Sequence, residues 1–372
     1  MIPSLKAARW AFSASAIALV AGLAACAPQT TTTTPPSENT SASPAASSAA
    51  SGGAVSISGA GATAPNPLYQ RWFQEYNKTN PNIQISYDSV GSGAGVKRFL
   101  DQTVDFAASD DPLKDADRAK VPADRGKAVQ IPSTGLFVVM AYNLDGVDKL
   151  QLSRASLCGI VDGTIKTWND PKIAKDNSGA KLPSTPITFV HRSDGSGTTA
   201  IFTNHIEKAC PNWKAGSGKT IEWPVGTGGK GSEGVTAQVQ QTKGAIGYTE
   251  YSYANENKLK MAALQNKAGE FIVPAPDAAA KALDGATVPT DFAVKVPDPD
   301  QKGAYPIVSL TYLLLYESPK DPAKAKAIND FVKWALTDGK QYATELGYIP
   351  LPDPITTKVT GAVDTIKVSA AK

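Results

Sequence analysis

Three times along this chain an apolar stretch with strand character runs into a cluster of glycine and hydroxyl residues, and apolar residues at helical spacing follow. Val55-Ser56-Ile57-Ser58 alternates as a strand does, Gly59 to Pro65 is a small-residue turn, and Leu68, Tyr69, Trp72, Phe73 and Tyr76 recur along one helix face. Ile83, Ile85 and Tyr87 alternate into Ser89-Val90-Gly91-Ser92-Gly93-Ala94-Gly95, after which Val96, Phe99 and Leu100 open a second helix. Pro186 to Val190 reads as a buried strand, His191 to Thr199 as its turn, and Thr199, Ala200, Ile201, Phe202, His205 and Ile206 as the helix that follows. A fourth strand, from Val104, ends in Ser109-Asp110-Asp111-Pro112. This alternation predicts an α/β fold, in which strand C-termini and helix N-termini share one edge of the sheet.

Such an edge suits an anion. The first N–H groups of a helix are orphan donors, the macrodipole adds positive potential, and glycines allow close approach to the backbone. In the turn after Val190, Arg192 joins Ser196, Thr198 and Thr199, and a guanidinium fork matches a tetrahedral oxyanion. The same residues admit a structural reading, with Ser196 capping the helix and Arg192 paired to Asp194. Asp110 is the odd member, because a carboxylate repels an anion unless the anion carries a proton to donate. Hydrogen phosphate does so and fully ionised sulfate does not; a buried acceptor left without a donor costs about 1–3 kcal/mol. The structural alternative makes Asp110 only the start of a turn before Pro112.

Composition adds a compartment. Lys6 and Arg9 precede an uncharged run from Ala11 to Ala25 that is short for a membrane span, so residues 1–25 read as a signal peptide. Leu23-Ala24-Ala25-Cys26 reads as a lipobox, which would leave Cys26 N-terminal and diacylated, enough for stable anchoring. Residues 26–54 are dominated by Thr, Ser, Ala and Pro with Glu38 as the one charge, a tether unable to bury a core. With Cys26 lipidated, Cys158 and Cys210 remain for a disulfide in an oxidising compartment; two free buried thiols are the alternative. Removing Lys6 and Arg9 takes the net charge from +3 to +1, and no basic stripe with aromatics is present, which argues against nucleic acid.

The sequence offers little to an enzyme. Its two histidines are His191 and His205, neither Ser92 nor Ser196 lies in a nucleophile elbow, and no Cys/His cluster suggests a metal or cofactor. Gly59-x-Gly61-x-x-Ala64 matches a dinucleotide fingerprint only superficially, and Gly216-Ser217-Gly218-Lys219-Thr220 lacks the first glycine of a phosphate-binding loop.

Taken in order, the motifs resemble the phosphate-binding protein of bacterial ABC-type phosphate importers, the substrate-binding protein of the Pst system, over residues 55–355. The resemblance rests on Gly59-Ala60-Gly61-Ala62-Thr63, Gly91-Ser92, Val104-Asp105-Phe106 with Ala108-Ser109-Asp110, and Arg192 to Thr198. It continues through Trp223-Pro224-Val225-Gly226, Gly228-Gly229-Lys230-Gly231 and Gly244-Ala245-Ile246-Gly247-Tyr248. It implies a two-lobed periplasmic-binding-protein fold of type II, with the chain crossing twice between lobes. Lobe one would comprise 55–132 plus 306–372 and lobe two 133–305; Gln130 to Ser133 and Tyr305 to Ile307 suit the crossings. It implies phosphate ligands at Thr63, the Ala64 N–H, Ser92, Asp110, Arg192, Ser196, Gly197 and Thr198, with Asp194 holding Arg192. The family often has Phe where this chain has Ala64, and the disulfide is not a general family feature. A monomer is expected, lipid-anchored outside the cytoplasm, delivering phosphate to an ABC-type permease, with no cofactor and no catalysis.

Overall fold

The computed structural model describes residues 53–284 and 286–368; the signal segment, Cys26 and the tether up to residue 52 lie outside the described residues. The strands are β1 (Val55–Gly61), β2 (Ile83–Ser89), β3 (Phe106–Ser109), β4 (Ala128–Tyr142), β5 (Gln151–Leu152) and β6 (Thr188–Arg192). They continue with β7 (Thr227–Gly229), β8 (Ala245–Glu250), β9 (Lys260–Met261), β10 (Ala263–Gln265), β11 (Phe271–Ile272) and β12 (Val308–Tyr316). One sheet runs β2-β1-β3-β12-β4-β8-β6-β7 with β9 added on β4, and β11-β10-β5 form a small second sheet.

The large sheet contains two parallel trios. β1 pairs in parallel with β2 and β3, and β6 pairs in parallel with β7 and β8. Antiparallel β12 and β4 join them. β4 is the physical link: it pairs with β12 up to Phe137 and with β8 from Val138 onward. The crossing segment expected at Gln130–Ser133 and the apolar run after it are therefore one strand. Pro132 is accommodated because the register with β12 shifts between Thr311 and Tyr312, opposite the proline, leaving Ser133 out of the ladder. The Ser133 hydroxyl bonds instead to the Tyr69 hydroxyl at 2.9 Å.

β1 extends further than its alternation suggests. Gly59, Ala60 and Gly61 continue the strand between β2 and β3, with the Phe106 ring over the place a Gly59 side chain would fill. The helix Asn66–Thr79 buries Leu68, Tyr69, Trp72, Phe73 and Tyr76, the positions its spacing marked, and Phe73 and Tyr76 meet Phe331. Burying such side chains stabilises by roughly 1.5–3 kcal/mol each. Cys158 and Cys210 are bridged, their Cα atoms 5.6 Å apart. The bridge ties the helix Arg154–Val161 to the C-cap of Gly197–Ala209, whose other end carries the anion turn. Among the described residues no helix is long and apolar enough to cross a membrane.

Candidate anion-binding site

Both parallel trios direct their carboxyl ends into one buried place. From the first come Thr63, between β1 and the helix Asn66–Thr79, Ser92, at the start of the helix Ser92–Leu100, and Asp110, directly after β3. From the second come Arg192, the last residue of β6, Ser196, and Gly197 and Thr198, which open the helix Gly197–Ala209. Thr63, Ser92, Asp110, Arg192, Ser196 and Thr198 are each at most 4% exposed, so whatever they bind is held out of bulk water.

The hydroxyls are arranged as donors. Ser92 Oγ accepts the N–H of Asp110 at 3.2 Å and that of Gly197 at 3.1 Å, which occupies both of its lone pairs and leaves its hydrogen to give. Ser196 Oγ accepts the Thr199 N–H at 3.1 Å, so it caps the helix and still has a hydrogen to donate. Cap and anion ligand are compatible roles for one hydroxyl. The two trios also touch directly here, since Gly93 N–H donates to the Gly195 carbonyl at 2.7 Å. The Ala64 carbonyl accepts from the Tyr348 hydroxyl at 2.7 Å, which anchors the turn carrying its N–H.

Arg192 is fixed by a two-pronged contact with Asp194, Nε to Oδ1 at 2.8 Å and Nη2 to Oδ2 at 2.6 Å. Gly231 N–H donates to Asp194 Oδ1 at 3.0 Å. Burial pushes the Asp194 carboxyl up, but the Arg192 fork and the Gly231 N–H outweigh it and hold the group below the usual carboxylate range. The pairing consumes one edge of the guanidinium. The remaining Nη1 lies 3.5 Å from both Thr198 Oγ1 and Ser232 Oγ, among the hydroxyls.

Asp110 is the acceptor of the set. Its Oδ1 accepts from the Thr311 hydroxyl at 2.8 Å, while Oδ2 is buried without a hydrogen-bond partner among the described residues. Burial is the main cause that raises its pKa to about 6, opposed by the Thr311 bond and the Arg192 charge. At neutral pH the group is therefore mostly ionised, and in that form it is an acceptor only and needs a donor from a ligand.

Two residues in this neighbourhood escape the sequence pattern. Ser232 is the second residue of the helix Gly231–Gln241, which follows β7 as a further strand-turn-helix, and its Oγ lies 2.7 Å from Thr63 Oγ1. Gly228-Gly229-Lys230-Gly231-Ser232 is the one local signal for it. Glu250, at the end of β8, is fully buried; Ser252 donates to Oε2 from N–H and hydroxyl, and Oε1 has no partner among the described residues. Burial first, and then the nearby Asp110, lift its pKa to about 8 against the hydrogen bonds of Ser252 and Tyr348.

A raised carboxylate pKa makes the native state less stable as pH climbs from the unfolded value toward the folded one. For Glu250 the loss begins near pH 4.5, reaches about 3 kcal/mol at pH 7, and levels off above about 8. Glu250→Gln removes the titration. In urea unfolding, the stability of the variant relative to the parent is expected to rise by about 3 kcal/mol between pH 4.5 and pH 7. A constant difference across that range would show that Glu250 is not buried in its neutral form.

The histidines are engaged elsewhere. His191 stacks on Trp223 with ring centroids 5.0 Å apart and bonds the Arg192 carbonyl through Nδ1 at 3.0 Å. His205 is buried with Nδ1 2.9 Å from the Pro297 carbonyl, and burial pushes its pKa down to about 4.

Residues 39–339 match a family model described as the PBP superfamily domain. The chain is similar to the phosphate-binding protein PstS of Pasteurella multocida, 42% identical over 312 residues, covering 82% of this chain and 89% of that protein. It is likewise similar to PstS of Methanocaldococcus jannaschii, 39% identical over 337 residues, with 84% and 87% covered. Among solved structures, it aligns with a high-affinity periplasmic phosphate-binding protein bound with phosphate, at a TM-score of 0.71 and 24% identity. That alignment covers 86% of this chain and all of the other, and supports the two-lobed fold.

Proposed function

The chain belongs to the PstS phosphate-binding proteins of the PBP superfamily, and from that premise we propose that it captures inorganic phosphate and delivers it to an ABC-type phosphate permease. The observation that carries this reading is the buried Asp110 Oδ2, an unpartnered acceptor beside a ring of donors. A fully ionised oxyanion leaves that oxygen unsatisfied; hydrogen phosphate meets it with its own proton. Thr63, the Ala64 N–H, Ser92, Arg192, Ser196, the Gly197 N–H and Thr198 are the donors, with Asp194 holding Arg192 and Ser232 joining Thr63.

The lobes are 55–132 plus 306–372 and 133–305, each contributing one parallel trio, with β4 and the segment entering β12 as the crossings. Closure of the lobes around the anion completes the site. The mature protein works outside the cytoplasm as a monomer, anchored by acyl chains on Cys26, and binds without catalysis. Summed over these donors, charged hydrogen bonds at about 1.5–3 kcal/mol each exceed the roughly 8 kcal/mol that micromolar binding requires. The surplus offsets desolvation of the anion and the ordering of the lobes.

Asp110→Asn tests the reading. The amide cannot serve as an anionic acceptor and offers sulfate a donor, so the phosphate-to-sulfate affinity ratio is expected to fall at least about tenfold. Phosphate affinity itself should fall less. An unchanged ratio in competition calorimetry would remove Asp110 from the selectivity mechanism.

A further inference from the structure

The loop between Cys210 and Gly226 carries Gly216-Ser217-Gly218-Lys219-Thr220, the run that resembles the end of a phosphate-binding loop and is not one. Lys219 nevertheless lies against the anion site. Its carbonyl accepts the Ser196 N–H at 2.9 Å, so its backbone is tied to the turn of the second lobe. Its Nζ reaches Asp111 Oδ2 at 2.8 Å, in the first lobe, directly after Asp110. Asp111 is held in turn: its N–H donates to Ser109 Oγ at 3.2 Å, and that hydroxyl donates to the Asp111 carbonyl at 2.5 Å. The side chains of the pair are only 17% and 11% exposed. Arg118 and Asp291, which also join the two lobes, stand 3.6 Å apart with Asp291 about half exposed, a contact that water screens far more.

We propose that Lys219 and Asp111 form a charge latch across the cleft and set how long the closed protein retains its anion. Two physical effects act together. Opening the lobes must separate an ion pair that is mostly withdrawn from water. The Lys219 charge also offsets Asp111, which without it would be a second uncompensated carboxylate next to Asp110 and would repel the anion. Both effects exist in the closed form, so they slow release more than they speed capture.

The inference rests on the phosphate-binding reading, and stopped-flow kinetics with inorganic phosphate and the purified protein separates the two. Failure of the unsubstituted protein to bind phosphate would overturn that reading. Given binding, Lys219→Met is expected to speed phosphate dissociation at least about tenfold while the association rate changes less than about threefold. Asp111→Asn breaks the same contact but also removes a negative charge beside the anion, so it should speed release less than Lys219→Met, and the double variant should be no worse than Lys219→Met alone, as expected for two members of one contact. Lys219→Arg keeps the charge and should release phosphate at close to the parent rate, which also guards against a folding defect in the Met variant. Dissociation unchanged in both single variants, or effects that simply add in the double variant, would overturn the latch.

Discussion

Replacing Arg192 by alanine is expected to weaken phosphate binding at least about a hundredfold, equivalent to about 3 kcal/mol. The guanidinium is nearly inaccessible to water and is aligned by the Asp194 fork. Its loss removes a charged donor from a desolvated anion and at the same time leaves Asp194 without its counter-charge, facing that anion. A new repulsion therefore accompanies the lost attraction. Arg192→Lys should recover only a minor part, because an ammonium cannot engage Asp194 through two parallel bonds and still present a third donor to the site. Calorimetric titration checks both variants, and normal phosphate affinity in Arg192→Ala would place the anion elsewhere.

The second large effect is steric. Gly197 opens its helix where the two lobes meet, and a Cβ there would stand 2.5 Å from Ser92 Oγ, 2.6 Å from Asp110 Cβ and 2.8 Å from Asp110 N. Backbone neighbours at that distance cannot rotate away. Gly197→Ala should keep the lobes from closing and cost at least about a hundredfold in phosphate affinity, since binding requires the closed population. Folding should be nearly unaffected, within about 1 kcal/mol, because an open clamp relieves the clash and alanine favours the helix. Unfolding and titration on one preparation separate these effects; full affinity in a folded variant would show that the lobes do not approach at Gly197.

Much of this site is legible in the amino-acid sequence because its parts are local. Each of these segments lies between apolar residues at period two and apolar residues at helical spacing, and that pattern by itself puts Thr63, Ser92, Arg192 and Ser196 at strand-to-helix junctions, although Arg192 proves to end its strand and Ser92 to open its helix. The pairing of Cys158 with Cys210 follows from three cysteines in an exported chain, one of them expected to carry lipid. The capping and anion-binding roles of Ser196 look like rivals in the sequence. The geometry allows both, since the cap uses a lone pair and leaves the hydrogen free.

What stays hidden depends on long-range packing. β7 is Thr227-Gly228-Gly229, three residues without an apolar side chain, so no periodicity marks the strand that delivers Ser232. Glu250 looks like an ordinary carboxylate in Ala245-Ile246-Gly247-Tyr248-Thr249-Glu250; only burial at the change of partners along β4 makes it neutral. Lys219 and Asp111 are 108 residues apart, and no local pattern couples them. Gly59 and Gly61 look like a turn, because the Phe106 ring that requires Gly59 comes from another strand.

Titrating the purified protein with phosphate and with sulfate in the same buffer is the most direct test of the central claim. One phosphate per chain should bind with micromolar or tighter affinity, and sulfate at least about a thousandfold more weakly, because sulfate cannot satisfy the unpartnered oxygen of Asp110. Comparable affinities for the two anions would contradict the account.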